Sequence, residues 1–92
     1  MSDVFGALAH PVRRKILNLL RKGAMSAGDL AAHFDLAKPT LSGHFAVLKT
    51  ADLVTAERKG TTILYRLNMS VLEEALAALM SIAGAKSSGD EP

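Results

Sequence analysis

The hydrophobic period of this chain changes twice, and those changes constrain its fold more than any single motif. From Val4 to Leu48 apolar residues recur at helical spacing, over residues 53–67 they alternate, and from Val71 to Ile82 helical spacing returns. Val4, Phe5 and Leu8 form the short stripe of a first helix. Pro11, which gives up no hydrogen bond at a first helical position, opens a second. Val12, Ile16, Leu19 and Leu20 are its inner face, and Gly23 stops it just after Arg21 and Lys22. Ser26 with Asp29 resembles a capping box and opens a third helix reaching Phe34, with Leu30 and Phe34 as its buried pair. After the turn "DLAK", Pro39 starts a fourth helix that turns Leu41, Phe45 and Leu48 inward.

The alternating stretch "LVTAERKGTTILYRL" reads as a hairpin turning at Lys59-Gly60. Ile63, Tyr65 and Leu67 share one face, and Leu64 falls on the other with Thr62 and Arg66, where the pattern does not explain it. A last helix begins at Asn68 or Ser70. Ser70 with Glu73 fits a capping box, whereas an Asn68 cap lets Leu67 staple against Leu72, and the sequence leaves both open. Leu72, Leu76, Leu79 and Ala83 mark its stripe, widened by Val71, Ala75, Ala78 and Ile82. The expectation is one mainly helical domain with a β-hairpin, residues 1–85, followed by a disordered tail at 86–92. The absence of cysteine excludes disulfides, thiolate metal sites and cysteine nucleophiles. No apolar run is long enough to span a bilayer and no signal-peptide pattern opens the chain, so a cytoplasmic protein with no membrane partner is expected.

The outer face of the fourth helix is unusual. It presents Pro39, Gly43, Ala46 and Thr50, flanked by Thr40 and Ser42, all small or compact. Charge is also uneven. Residues 10–66 carry ten Lys or Arg against four Asp or Glu, a balance of +6, within a chain whose formal net charge is +2. A basic middle between acidic ends suits a surface that faces a polyanion.

Three helices followed by a hairpin, with a short turn between the third and fourth, is the order of a winged helix-turn-helix. In that motif the second helix of the pair enters the DNA major groove by its N-terminal residues. A small outer face allows close approach of the backbone. Thr40 and Ser42 can bond phosphates or base edges, Lys38 can neutralise a phosphate, and Pro39, Ala46 and Val47 can meet thymine methyl groups. Gly43 costs its helix about 1 kcal/mol relative to Ala, so drift on a solvated surface is the competing reading.

The stretches "LAHPVRRKILNLL", "MSAGDLAAHFDLAKPTLSGHFAVLKTADLV" and "RKGTTILYRLN" make the comparison specific. The pattern P-T-x-S-x-H-x-x-x-L followed by R-x-G-x-x-x-x-Y-x-L resembles the ArsR family of bacterial winged-helix repressors, most of all its small autorepressor (SdpR-like) subgroup. The resemblance implies a homodimer on a palindromic operator in double-stranded DNA. It places recognition-helix positions on Thr40, Ser42 and His44 and a basic wing position on Arg58, beside Lys59. Three residues depart from the pattern. Gly43 stands where relatives often carry His, and Thr61 where they often carry Arg. His10 stands where Asp or another helix cap is usual, which leaves the start of the second helix less well capped.

Family metal sites use a Cys-x-Cys pair on the third helix, or Asp and His on the last. Neither is present here, and His10, His33 and His44 are not spaced as local ligand pairs. No metal or other cofactor is therefore expected, and His44 is read as an imidazole at the domain edge. Arg13 and Arg14 each have two roles open, tying the second helix to the fold or facing phosphate. The terminal stripes, Val4, Phe5 and Leu8 with Leu72, Leu76 and Leu79, exceed what one core needs, and pairing them between two copies would bury the excess. The alternative is a last helix that only lids its own core.

The function expected is a sequence-specific transcriptional repressor with no catalytic activity. The alternative is a winged-helix protein-interaction module that no longer binds DNA specifically. An enzyme is disfavoured by the lack of a paired acid and base or a phosphate-cradling glycine loop. The releasing signal is left open among a small molecule, a protein partner and concentration alone.

Overall fold

The computed structural model describes residues 3–84. The proposed tail at 86–92 lies outside the described residues. The elements run α1 (Val4–Leu8), α2 (Pro11–Leu20), β1 (Met25–Ser26), α3 (Ala27–Ala31), α4 (Lys38–Thr50), β2 (Val54–Lys59), β3 (Thr62–Leu67) and α5 (Met69–Ala83). The helix–hairpin–helix order follows the two changes of period. One element is new. β1 is a two-residue strand that pairs antiparallel with β3, Met25 opposite Tyr65 and Ser26 opposite Leu64, giving a three-stranded sheet of order β1-β3-β2. Two residues cannot show an alternating pattern, so nothing in the sequence marks it.

Local chemistry explains most boundaries. Pro11 is the first residue of α2, and Ser26 caps α3 by accepting from the Asp29 N–H at 3.0 Å. His10 corrects the expectation of a weak cap. Its Nδ1 accepts from the Val12 N–H at 3.1 Å, so the imidazole does what an Asp carboxylate would do. α3 ends at Ala31, three residues short of Phe34, and tighter turns follow, His33 N–H to the Leu30 carbonyl and Phe34 N–H to the Ala31 carbonyl. Lys15 secures that turn by donating to the His33 carbonyl at 2.8 Å, with its ammonium 4.7 Å from the Phe34 ring centre. The hairpin loop is Gly60-Thr61, one residue later than expected, because Lys59 pairs with Thr62, and Gly60 supplies the positive φ of 64°. Asn68 holds the cap position of α5, although its side chain makes no cap bond. Leu67 and Leu72 line one recess beside it, consistent with a staple.

The core gathers Ile16, Leu17 and Leu20 of α2, Leu30 of α3, and Leu41, Phe45 and Leu48 of α4 under Leu53, Val54 and Tyr65. Leu17 is fully inside although the stripe did not include it, while Phe34 is only half-buried. Leu64 is half-buried and lies off the main cluster, on the face its alternation assigned. Phe45 stacks on Tyr65 with ring centres 4.7 Å apart, which fastens α4 to the sheet.

α4 ends in a left-handed residue that is not glycine. Asp52 has φ 61°, its N–H bonds the Lys49 carbonyl, and the Leu53 N–H reaches back to the Leu48 carbonyl at 3.0 Å. This closure delivers fully buried Leu53 into the core. Asp52→Gly is expected to keep the parent stability, and Asp52→Val to lose about 1–2 kcal/mol by forcing a β-branched residue into that conformation. Urea denaturation of the three proteins measures it, and equal midpoints would contradict the assignment.

Candidate nucleic-acid interface

α4 buries Leu41, Phe45 and Leu48 and turns the rest of its surface outward. Lys38, Pro39, Thr40, Ser42, Gly43, Ala46 and Val47 are all exposed, and His44 is half-buried at the edge of that face. Ala37 precedes the helix and provides no side-chain cap. The N–H groups of Lys38 and Thr40 therefore lie at the positive end of a 13-residue helix with no intrahelical acceptor. Such an end accommodates an anion.

Gly43 has no internal reason to be glycine. A Cβ built on it meets nothing within 4 Å, and its φ is not positive. The fold would accept Ala there at a gain in helix propensity. The small face is thus not a packing requirement.

The hairpin carries Arg58, Lys59 and Thr61 at its tip, all exposed. Arg66 is near the far end of β3, four residues along from Thr62, with its guanidinium 4.0 Å from Glu57. An exposed pair at that distance contributes little.

The arginines of α2 reach back to α1. Arg13 donates through Nε to the Ala7 carbonyl at 2.8 Å and through Nη2 to the Gly6 carbonyl at 3.1 Å, and its Nη1 lies 3.1 Å from Nδ1 of His44. Arg14 donates to the Leu8 carbonyl at 2.8 Å. Both arginines thereby satisfy carbonyls at the C-terminal end of α1, which has no basic residue of its own there. Sequence spacing could not anticipate this, because it depends on how α1 folds back on α2.

The histidines also regroup. His10 and His44 are 34 positions apart in sequence, yet their rings sit 4.5 Å apart, tilted by 52°. Among the described residues, no group of three or more His, Cys, Asp or Glu converges in a way that could hold a metal.

The terminal stripes divide. Val4, Leu8, Val71 and Leu72 are half-buried against the domain's own core, and Ala75 is buried there. Phe5, Leu76, Leu79, Met80 and Ile82 remain exposed, Ile82 at 83%. α5 therefore lids the core with its first turns and leaves the rest of its apolar face open.

Residues 10–56, just over half of the chain, match the family described as "Bacterial regulatory protein, arsR family". The chain belongs to the ArsR family. Its curated relatives include the transcriptional repressor SdpR of Bacillus subtilis, 47% identical over 76 residues that span 83% of this chain and 84% of that protein. The arsenical resistance operon repressor of Staphylococcus xylosus is 38% identical over 73 residues, 79% of this chain and 70% of the relative. Among solved structures, a possible transcriptional regulator for arsenical resistance superposes with a TM-score of 0.82 at 34% identity, covering 89% of this chain and 85% of that one. NolR from Sinorhizobium fredii gives 0.69 at 35% identity over 89% and 82%. This ArsR-family chain is thus a winged helix-turn-helix DNA-binding regulator, not an enzyme. Among the described residues, no helix is long and apolar enough to cross a membrane.

Gly43→Ala is expected to stabilise the free protein by up to about 1 kcal/mol, because the added methyl meets open space and raises helix propensity. Thermal unfolding at fixed protein concentration measures it, and a loss of stability would mean that Gly43 serves the fold.

Proposed function

We propose that this chain is a homodimeric transcriptional repressor that binds a palindromic operator through α4 and the hairpin wing, without a bound metal. The observation that carries the reading is the outer face of α4, where glycine stands in a helix interior with nothing inside the protein to require it. In this reading Pro39, Thr40, Ser42, Gly43 and His44 approach the major groove, and Lys38 with the uncapped first turn meets phosphate. Arg58, Lys59 and Thr61 reach the adjoining minor groove from the wing. Arg13 acts from behind, since its donors are engaged inside the protein, and Arg14 braces α1. The relatives named as repressors support the same direction of control.

The dimer half of the reading rests on the open stripe of α5 together with Phe5. An apolar row at the end of so small a domain favours a second copy of itself, and two-fold pairing would set two α4 helices against the two halves of a palindrome. Leu72, Val4 and Leu8 would form the shared floor beneath Phe5, Leu76 and Leu79.

Phosphate neutralisation then dominates affinity. With roughly 6–10 phosphate contacts per dimer, binding should fall about 10³- to 10⁵-fold between about 50 and 200 mM salt. Arg58→Ala is expected to weaken specific and random duplexes alike and to reduce the salt slope, whereas Ser42→Ala acts mainly on the specific duplex. Fluorescence anisotropy on a duplex from upstream of the protein's own gene and on an unrelated duplex measures both. Equal losses on the two duplexes for Ser42→Ala would remove its reading role. Leu79→Glu is expected to give a monomer in sedimentation velocity and to cost at least about tenfold in operator affinity, since two linked half-sites become one. A Leu79→Glu protein that remains dimeric would overturn the proposed interface.

A further inference from the structure

Three basic side chains meet where α2 begins and α4 passes over it. Arg13 bridges the carbonyl end of α1, at Gly6 and Ala7, to Nδ1 of His44 on α4. A guanidinium only donates and keeps its charge at all ordinary pH, so His44 Nδ1 must accept, and the ring carries its proton on Nε2. His10 is fixed in the same tautomer, because its Nδ1 accepts from the Val12 N–H. Both imidazoles therefore keep these bonds only while uncharged. A proton on either Nδ1 would replace an acceptor with a donor facing a donor.

We infer that Arg13 is a positioning residue that ties the setting of the DNA-facing helix to α1, and that this tie releases when His44 takes up a proton. The inference rests on the DNA-binding reading above. It makes α1, which carries Phe5 of the open apolar stripe, mechanically continuous with α4 through one planar fork. One guanidinium reaches two carbonyls of α1 and a side chain of α4 at once, so it fixes the edge of α4 against α1 in addition to the apolar packing beneath.

The charged groups around His44 favour release on acidification. α2 supplies His10 and Arg13, and α1 supplies carbonyl oxygens. The acid nearest to α1's start, Asp3, accepts from the Gly6 N–H. Among the described residues no carboxylate pairs with Arg13. Burial, then His10, then Arg13, hold the His44 pKa below its ordinary value of 6.5. The folded protein thus resists a proton that the unfolded chain accepts. This contribution to stability is complete above pH 6.5 and is lost as pH falls through the lower folded value.

The consequence opposes simple electrostatics. A histidine beside DNA that gains a proton ordinarily tightens binding by adding a positive charge. Here specific binding weakens on acidification although the protein becomes more cationic.

The test starts with an NMR pH titration of the free full chain, wild type, Arg13→Lys and His10→Asn. In the wild type the Gly6 and Ala7 amides should move with the His44 ring, at a midpoint below 6.5. Arg13→Lys keeps the charge but cannot span three acceptors, so the α1 amides should stop following the ring. His10→Asn keeps a cap on α2 and removes the neighbouring imidazole, and should raise the His44 midpoint while the α1 amides still follow. On DNA, wild-type affinity for the specific duplex should drop about tenfold between pH of about 7.5 and 5.5, while Arg13→Lys starts low and stays flat. α1 amides that ignore His44 in the wild type, or specific binding that holds or tightens with acid, would overturn the inference. Absence of any duplex preference at the higher pH would count against the DNA-binding reading instead, and the NMR titration alone would then decide the linkage.

Discussion

Ile16, Leu30, Leu48 and Leu53 are sealed from solvent, and their mutual packing fixes where α4 stands relative to the rest of the domain. Ile16 brings α2, Leu30 brings α3, Leu48 brings α4, and Leu53 brings the chain just before β2. Protein interiors are close-packed, so four side chains from four segments leave little freedom for any one of them to shift. The left-handed closure at Asp52 matters for the same reason, since it turns Leu53 back beneath the helix that Leu48 anchors. With the inner face of α4 held in this way, its outer face can stay small and free of large anchoring side chains.

A domain of this size cannot also bury every apolar residue it carries. The early turns of α5 complete the core through Val71, Leu72 and Ala75, and the helix then runs on with Leu76, Leu79 and Ile82 uncovered. α1 occupies a similar boundary position, with Ala7 buried and Phe5 exposed. The two arginines of α2 connect this boundary region to the core by hydrogen bonds to the last carbonyls of α1. Both arginines brace α1 in this way, and Arg13 extends the tie to His44 on α4.

Periodic features were legible in the sequence, because burial imposes a repeat on helices and strands alike. The inner teeth of α4, the Pro11 start, the Ser26 cap and the hairpin all follow from such local rules. Features made by chain crossing were not. β1 is too short to have a pattern, and the turn after α3 is braced by Lys15 reaching the His33 carbonyl from another helix. His10 looked like a poor cap because the usual list of caps has carboxylates and hydroxyls, yet an imidazole nitrogen offers the same lone pair. The meeting of His10, Arg13 and His44 joins positions that sequence spacing keeps far apart. By contrast, the small outer face of α4 was visible from residue types alone, and the structure adds that nothing inside the protein calls for Gly43.

The central claim is that DNA occupies the first half of α4, and hydrogen exchange tests it directly. The Lys38 and Thr40 amides have no intrahelical acceptor and should exchange fast in the free protein. Exchange of the full chain would be followed with and without a duplex from upstream of its own gene. The account predicts new protection at Lys38 and Thr40 and around the wing tip at Arg58 to Thr61. Protection confined to other surfaces, with these amides exchanging as fast as in the free protein, would contradict it.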